Sequence, residues 1–281
     1  MDSLISTESL AQQLGKPNLR VADATWFLPT EGRDAWQEFE SAHIPGSLFL
    51  DLAQFANSKS DLPMMLPTPP QFALLMASRG ITPGDPLVLY DNSSFGSAAR
   101  AWWMTSRVFG MPNVALLDGG LAKWSSEGRP TEAGHVSTRG TDFEEPRTNS
   151  VTWTKTDIVA NLKTQRAQVI DARGSGRFTG ADPEPRAGMA SGHIPGSINL
   201  PYGAVYASDG TWKRGDALRQ AFEDHGIDLD APVVTTCGSG MSAAVLAFGL
   251  HLLGKDDVAL YDGSWSEWGF DPSTPKATGR L

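Results

Sequence analysis

The chain has 281 residues, of which 40% are hydrophobic and 20% charged, enough apolar material for a sizeable core and unlike the composition of disordered chains. Its length exceeds what one hydrophobic core usually fills, so two domains are expected. A net charge of -9 and a pI near 5.0 argue against nucleic acid or an anionic membrane as a partner, and any anionic ligand would need a local cluster of cations.

The opening stretch from Met1 to Gly15 has no basic segment followed by an apolar one. No stretch approaches the roughly 18 apolar residues of a spanning helix, so the expected compartment is the cytoplasm. Further along, landmarks repeat in one order. Val21-Ala22-Asp23-Ala24 is echoed by Val169-Ile170-Asp171-Ala172. Ser41-Ala42-His43-Ile44-Pro45-Gly46-Ser47 recurs 150 residues later as Ser191-Gly192-His193-Ile194-Pro195-Gly196-Ser197. Leu116-Leu117-Asp118-Gly119-Gly120 matches Leu260-Tyr261-Asp262-Gly263-Ser264. A period of this size is too long for a solenoid and reads as a duplicated domain. Residues 1–140 form the first copy, 141–150 a polar linker without apolar periodicity, and 151–281 the second copy.

Within the copies, Leu87-Val88-Leu89-Tyr90 and Pro232-Val233-Val234-Thr235-Thr236 predict buried strands. Each is followed by an Ala-rich helical segment, Ala98 to Phe109 and Ser242 to Leu253. Strand alternating with helix predicts an α/β fold with one doubly wound, mainly parallel sheet per copy and helices on both faces. Trp102, Trp103, Trp265 and Trp268 are expected in the cores.

The single cysteine, Cys237, excludes an internal disulfide and any zinc site of several thiolates. A lone cysteine is either buried filler or a reactive thiol. Here it lies between a predicted strand and a predicted helix, in Cys237-Gly238-Ser239-Gly240-Met241-Ser242-Ala243. Such a loop can turn its backbone N–H groups inward beside the positive end of the helix, which favours a thiolate. The loop also lies where open α/β sheets bind ligands. A Cys-x5-Arg phosphatase would need an arginine at position 243, which is alanine, so that chemistry lacks its counter-charge. The five histidines show no metal-ligand spacing and no phosphate-binding glycine motif is present, so neither a metal nor a cofactor is expected.

These features resemble the tandem-domain rhodanese sulfurtransferases, and within them the 3-mercaptopyruvate sulfurtransferases, whose active loop has the form Cys-Gly-Ser-Gly-[Val/Met]-[Thr/Ser]-Ala. The likeness spans nearly the whole chain. It takes in both His-Ile-Pro-Gly motifs, Arg100-Ala101-Trp102-Trp103-Met104, Leu117-Asp118-Gly119-Gly120 and Tyr261-Asp262-Gly263-Ser264-Trp265-Ser266-Glu267-Trp268. It implies two tandem rhodanese-like domains and a Cys237 persulfide cradled by Gly238, Gly240, Met241 and Ser242. It further implies 3-mercaptopyruvate as sulfur donor, held by Arg177 and Arg186, and a thiol acceptor such as thioredoxin or a small dithiol, with cyanide as an artificial one.

Thiosulfate enzymes of the same superfamily resemble Cys-Arg-Lys-Gly in this loop, whereas Gly238 and Ser239 carry no charge. Ser239 is a candidate proton relay, its other reading being turn chemistry. His43 resembles a family residue placed in a Ser-His-carboxylate relay, although His193 shares its motif and suggests a structural feature of the turn. The first copy has Asp91 in place of Cys237, so it is expected to be catalytically silent. The remaining alternatives are a thiosulfate sulfurtransferase and a non-catalytic persulfide carrier or scaffold.

Overall fold

A computed structural model describes residues 1–279. Its contacts divide the chain into two compact units, one built mainly from Met1–Ser58 and Leu66–Asn149, the other mainly from Ser150–Ser208 and the residues from Trp212 on. Among the described residues no helix is long and apolar enough to cross a membrane.

The first unit holds strands β1 (Leu4–Ile5), β2 (Arg20–Asp23), β3 (Leu48–Phe49), β4 (Leu87–Tyr90) and β5 (Val114–Leu117), in the order β1-β5-β4-β2-β3. The second holds β6 (Thr152–Trp153), β7 (Gln168–Asp171), β8 (Ile198–Asn199), β9 (Val233–Thr236) and β10 (Val258–Tyr261), in the equivalent order β6-β10-β9-β7-β8. Every pairing is parallel. Strand side chains alternate between faces, yet all four residues of β4 and of β9 are buried, so both faces of each sheet are covered. Val88 and Tyr90 pack with Ile5, Ile44 and Trp124, and in the second unit Val234 packs with Ile158, Ile194 and Trp265. The four tryptophans expected in the cores, Trp102, Trp103, Trp265 and Trp268, are fully buried.

The helix expected over Ala98 to Phe109 divides into an α-helix, Ser97–Trp102, and a π-helical stretch, Trp103–Val108. The Thr105 hydroxyl donates to the carbonyls of Ala101 and Trp102, at 2.8 and 3.3 Å, and so competes for acceptors of the regular ladder. Residues 141–150 carry no regular element. Thr141 and Asn149 nevertheless donate backbone hydrogen bonds to Ala77 and Val108 of the first unit.

The strongest difference between the copies lies at the end of two equivalent strands, β2 and β7, each next to the central one. Asp23 ends β2 and Asp171 ends β7, and each accepts the backbone N–H two residues on, from Thr25 at 2.8 Å and Arg173 at 3.0 Å. Arg173 neutralises Asp171, whereas Thr25 brings no charge. Burial, reinforced by the charge of Asp91, therefore pushes the Asp23 carboxyl up from its ordinary 3.8 to about 7. Between these two values the folded chain holds a proton that the unfolded chain has lost, so the carboxyl's contribution to stability falls as pH rises through that window. Asp23→Asn keeps an acceptor for Thr25 and removes the charge. At pH 8 it should raise the thermal midpoint of the first unit by roughly 3 to 8 °C, the gain shrinking to nothing near pH 4, as scanning calorimetry across that range would read.

Candidate active site

β9 delivers Cys237 to the carboxyl end of the second sheet, and the helix Ala243–Leu252 begins six residues later. Between them the chain reverses through Gly240 at φ +76°, a left-handed conformation that suits glycine. Cys237 is 2% exposed, and Met241 is also buried, while Gly238, Ser239 and Ser242 are half-buried. The Ser239 hydroxyl makes no hydrogen bond to another described residue.

The segment after β10 holds this loop from behind. Cys237 O accepts from Trp265 N at 3.0 Å, and Gly238 O accepts from Ser266 N at 2.8 Å and Ser266 Oγ at 2.6 Å. Ser264 Oγ accepts from Cys237 N at 3.2 Å and Gly240 N at 3.1 Å and donates to Tyr261 O at 2.8 Å, so one hydroxyl gathers two converging loop N–H groups. To do so Ser264 takes φ +49°, costly for a residue with a side chain by about 1 to 3 kcal/mol. The first copy has Gly120 there, φ +55°, where an added Cβ would come within 2.5 Å of the Asp91 carbonyl oxygen. Ser264 was visible in the sequence only as the mismatch in a repeated landmark.

Arg177 and Arg186 reach the same loop. Arg177 lies on the helix Ser175–Thr179, and a Cβ added to Gly238 would sit 3.2 Å from its Nη2, so the glycine makes room for the guanidinium. Arg186 Nη1 donates to Ser266 Oγ at 2.6 Å, the hydroxyl that also binds Gly238 O. Burial, with the like charge of Arg177, lowers the Arg186 guanidinium from its ordinary value. The two cations thus lie close enough to feel each other's charge.

Beneath them lies a buried ion network that the sequence did not single out. Arg173 grips Asp171 through Nε, at 3.0 to 3.1 Å, and Nη2, at 2.6 Å. Its Nη1 donates to Glu184 Oε1 at 2.7 Å, its Nη2 to Gly192 O at 2.8 Å, and its guanidinium covers the Trp265 ring at 4.5 Å. Burial opposes the charge of Arg173, but Asp171 and Glu184, with a smaller effect from Cys237, outweigh it and hold its basicity above the ordinary value. Glu184 turns its other oxygen to Arg177, at 2.5 Å from Nη2 and 3.2 Å from Nε. The signal in the sequence was the Asp171-Ala172-Arg173 triplet, whose first-copy counterpart ends in Thr25.

His43 is fully buried in the first unit. Its Nδ1 donates to Phe39 O at 2.7 Å, Nε2 lies 3.3 Å from Glu132 Oε1, and the ring stacks on Phe39 at 4.1 Å. His193 repeats the arrangement, donating from Nδ1 to Phe178 O at 2.8 Å and stacking on Phe178 at 3.8 Å. In both copies the histidine ring stacks on a phenylalanine and its Nδ1 is bound to that residue's carbonyl, which ties the turn to the chain before it. In the first copy's loop Asp91 accepts from Ala98 N at 2.6 Å and from the Ser93 and Ser97 hydroxyls at 3.2 Å each, so a fixed carboxylate fills the place of the thiol.

The comparisons agree with this geometry. The Rhodanese-like domain family matches twice, at residues 6–127 and 154–270. The chain is 42% identical over 272 residues to 3-mercaptopyruvate sulfurtransferase of Rattus norvegicus, covering 95% of this chain and 91% of that one. Thiosulfate sulfurtransferase of the same organism is 39% identical over 273 residues with the same coverage. The crystal structure of SseA from Escherichia coli, described as a 3-mercaptopyruvate sulfotransferase, superposes with a TM-score of 0.84 at 36% identity, over 95% of this chain and 100% of that one. With two matched domains, two equivalent parallel sheets and a cysteine loop at the end of β9, the chain belongs to the rhodanese family and is a tandem-domain sulfurtransferase.

Proposed function

We propose that the chain moves sulfur from 3-mercaptopyruvate to a thiol acceptor through a persulfide on Cys237. The observation that carries this reading is the convergence of Arg177 and Arg186 on an uncharged cysteine loop at a helix N-terminus. Two guanidinium groups suit the carboxylate and adjacent carbonyl of an α-keto acid, because each can donate paired hydrogen bonds in one plane.

With the donor so held, the Cys237 thiolate attacks its sulfur. The carbon–sulfur bond breaks, its electron pair passes to carbon, and the enolate of pyruvate leaves and takes up a proton. The half-buried Ser239 hydroxyl stands two residues from the nucleophile and is the group we assign to the enolate oxygen. The outer sulfur remains on Cys237, its charge met by loop N–H groups and the helix end. In the second half-reaction an acceptor thiolate, from a small dithiol or a thioredoxin-type protein, attacks the outer sulfur and restores the Cys237 thiolate. The first unit carries no nucleophile in the equivalent loop, since Asp91 cannot form a persulfide.

Thiosulfate is the second reading, supported by the 39% identity to a thiosulfate sulfurtransferase. Against it, that donor is a dianion, and the loop offers no cation at positions 238 and 239. The first experiment is steady-state kcat/KM for both donors with one thiol acceptor, for the wild type and Cys237→Ser. A preference for 3-mercaptopyruvate of at least tenfold is expected, with pyruvate released over many turnovers and a loss of roughly 10⁴ in the variant. A preference for thiosulfate would sink the donor assignment. Pyruvate stopping at one equivalent would mark a passive carrier.

Ser264 gives a second test. Ser264→Gly removes the hydroxyl that gathers Cys237 N and Gly240 N while relieving a left-handed backbone. The thermal midpoint should hold or rise while kcat falls roughly tenfold, the loop N–H groups being no longer fixed. Unchanged kcat would show that the hydroxyl does not organise the loop.

A further inference from the structure

Among the described residues, Glu184 is the one carboxylate that pairs with both Arg173 and Arg177. Its side chain is 1% exposed, with one oxygen 2.7 Å from Arg173 Nη1 and the other 2.5 Å from Arg177 Nη2. The first of these arginines belongs to the nucleophile's neighbourhood by register. β7 and β9 are adjacent with Asp171 opposite Thr236, so Cys237 comes opposite Ala172, the residue immediately before Arg173, at the same sheet end. Arg173 also covers the ring of Trp265, whose backbone N–H binds Cys237 O. The second arginine lies against Gly238 with its side chain 31% exposed, so part of its guanidinium remains open to a ligand.

We propose that Glu184 is a positioning residue that divides one negative charge between these two arginines, restraining the pull of Arg173 on the Cys237 sulfur and aiming Arg177 at the donor. The inference rests on the donor reading above for its Arg177 half only. Two effects of opposite sign follow. Without the carboxylate, Arg177 loses its anchor and donor binding weakens. Arg173, still gripped by Asp171, turns its undivided charge toward the sulfur and stabilises the thiolate more strongly. A merely structural residue would behave otherwise, because a loosened loop weakens donor binding and thiolate stabilisation together.

The test uses the full chain and three variants. Glu184→Gln removes the charge with little change of shape. Glu184→Asp keeps the charge but cannot span both arginines. Asp182→Asn removes an exposed carboxylate from the same segment as a control. Two quantities are read, KM for 3-mercaptopyruvate and the rate of Cys237 alkylation by iodoacetamide, a neutral reagent, at pH 6.5.

For Glu184→Gln the expected result is KM raised about tenfold or more, consistent with loss of one charge-assisted hydrogen-bond anchor, and alkylation several-fold faster. For Glu184→Asp, KM should rise with alkylation unchanged, and Asp182→Asn should move neither by more than twofold. Slower alkylation in Glu184→Gln, or an equal response in Asp182→Asn, would overturn the proposal. If Glu184→Gln fails to fold, faster or slower alkylation in Glu184→Asp alone would overturn it. The alkylation arm needs no donor, so it decides the Arg173 half even if the wild type rejects 3-mercaptopyruvate.

Discussion

The pairing of buried charges at the carboxyl end of β7 is the constraint on which the second unit's site depends. Asp171, Arg173 and Glu184 have side chains only 1% exposed. Each such ion costs several kcal/mol to desolvate, and the fold keeps them only because every one is matched by an opposite charge at hydrogen-bond distance. The matching has a geometric consequence. Asp171 is fixed by its strand, Arg173 by Asp171, Glu184 by Arg173, and Arg177 by Glu184. The guanidinium beside Gly238 is thereby located through three successive ion pairs from the sheet, although it stands on a helix of only five residues. A surface arginine with the same reach would lose more side-chain entropy on binding a ligand.

The first unit meets the same fold without the same chemistry. Thr25 leaves Asp23 without a cation, so the carboxyl there is held partly protonated by burial rather than neutralised by pairing. Asp91, also buried and raised, brings its own negative charge to the loop that would otherwise receive one, with Ala98 N and two hydroxyls already committed to it. A cradle filled by a fixed carboxylate has no capacity for a second anion. The duplicated sheet therefore presents a filled, acidic loop in one copy and an uncharged cysteine loop in the other, and the difference is made by side chains at strand ends.

Much of this was legible in the chain itself. The apolar runs at 87–90 and 232–236 read as strands buried on both faces, and Cys237 at the end of one, before an Ala-rich helix, located the cysteine loop. Arg177 and Arg186 were legible as two cations close together in an acidic protein. What escaped were residues whose meaning is relational. Arg173 and Glu184 look like ordinary charged residues until β7 and β9 are paired and the 175–186 segment folds back over them. Ser264 sits in a Gly-Ser pair that reads as turn chemistry, and only its left-handed backbone and the two N–H groups aimed at its oxygen show otherwise. His43, a titratable side chain in a repeated motif, also has a structural side that the sequence only hinted at, stacking on Phe39 with Nδ1 on a carbonyl.

The repeated histidine points to how a duplicated chain sorts its own residues. Both copies must build the same turn after the same helix, so a side chain that serves the turn recurs, as His43 and His193 do with matching rings and matching carbonyls. Only one copy needs the reaction, so a side chain that serves it has no reason to recur. Cys237 faces Asp91, Arg173 faces Thr25, and Ser264 faces Gly120 across the alignment, and all three differences cluster at the carboxyl ends of neighbouring strands. The left-handed turn at the last pair shows the direction of the exchange. Glycine holds that conformation at no cost, whereas serine holds it against strain, so a hydroxyl there must be compensated by what it binds. It binds the backbone of the cysteine loop. Departures between the halves, above all one that is energetically unfavourable by itself, thus gather around the cysteine loop.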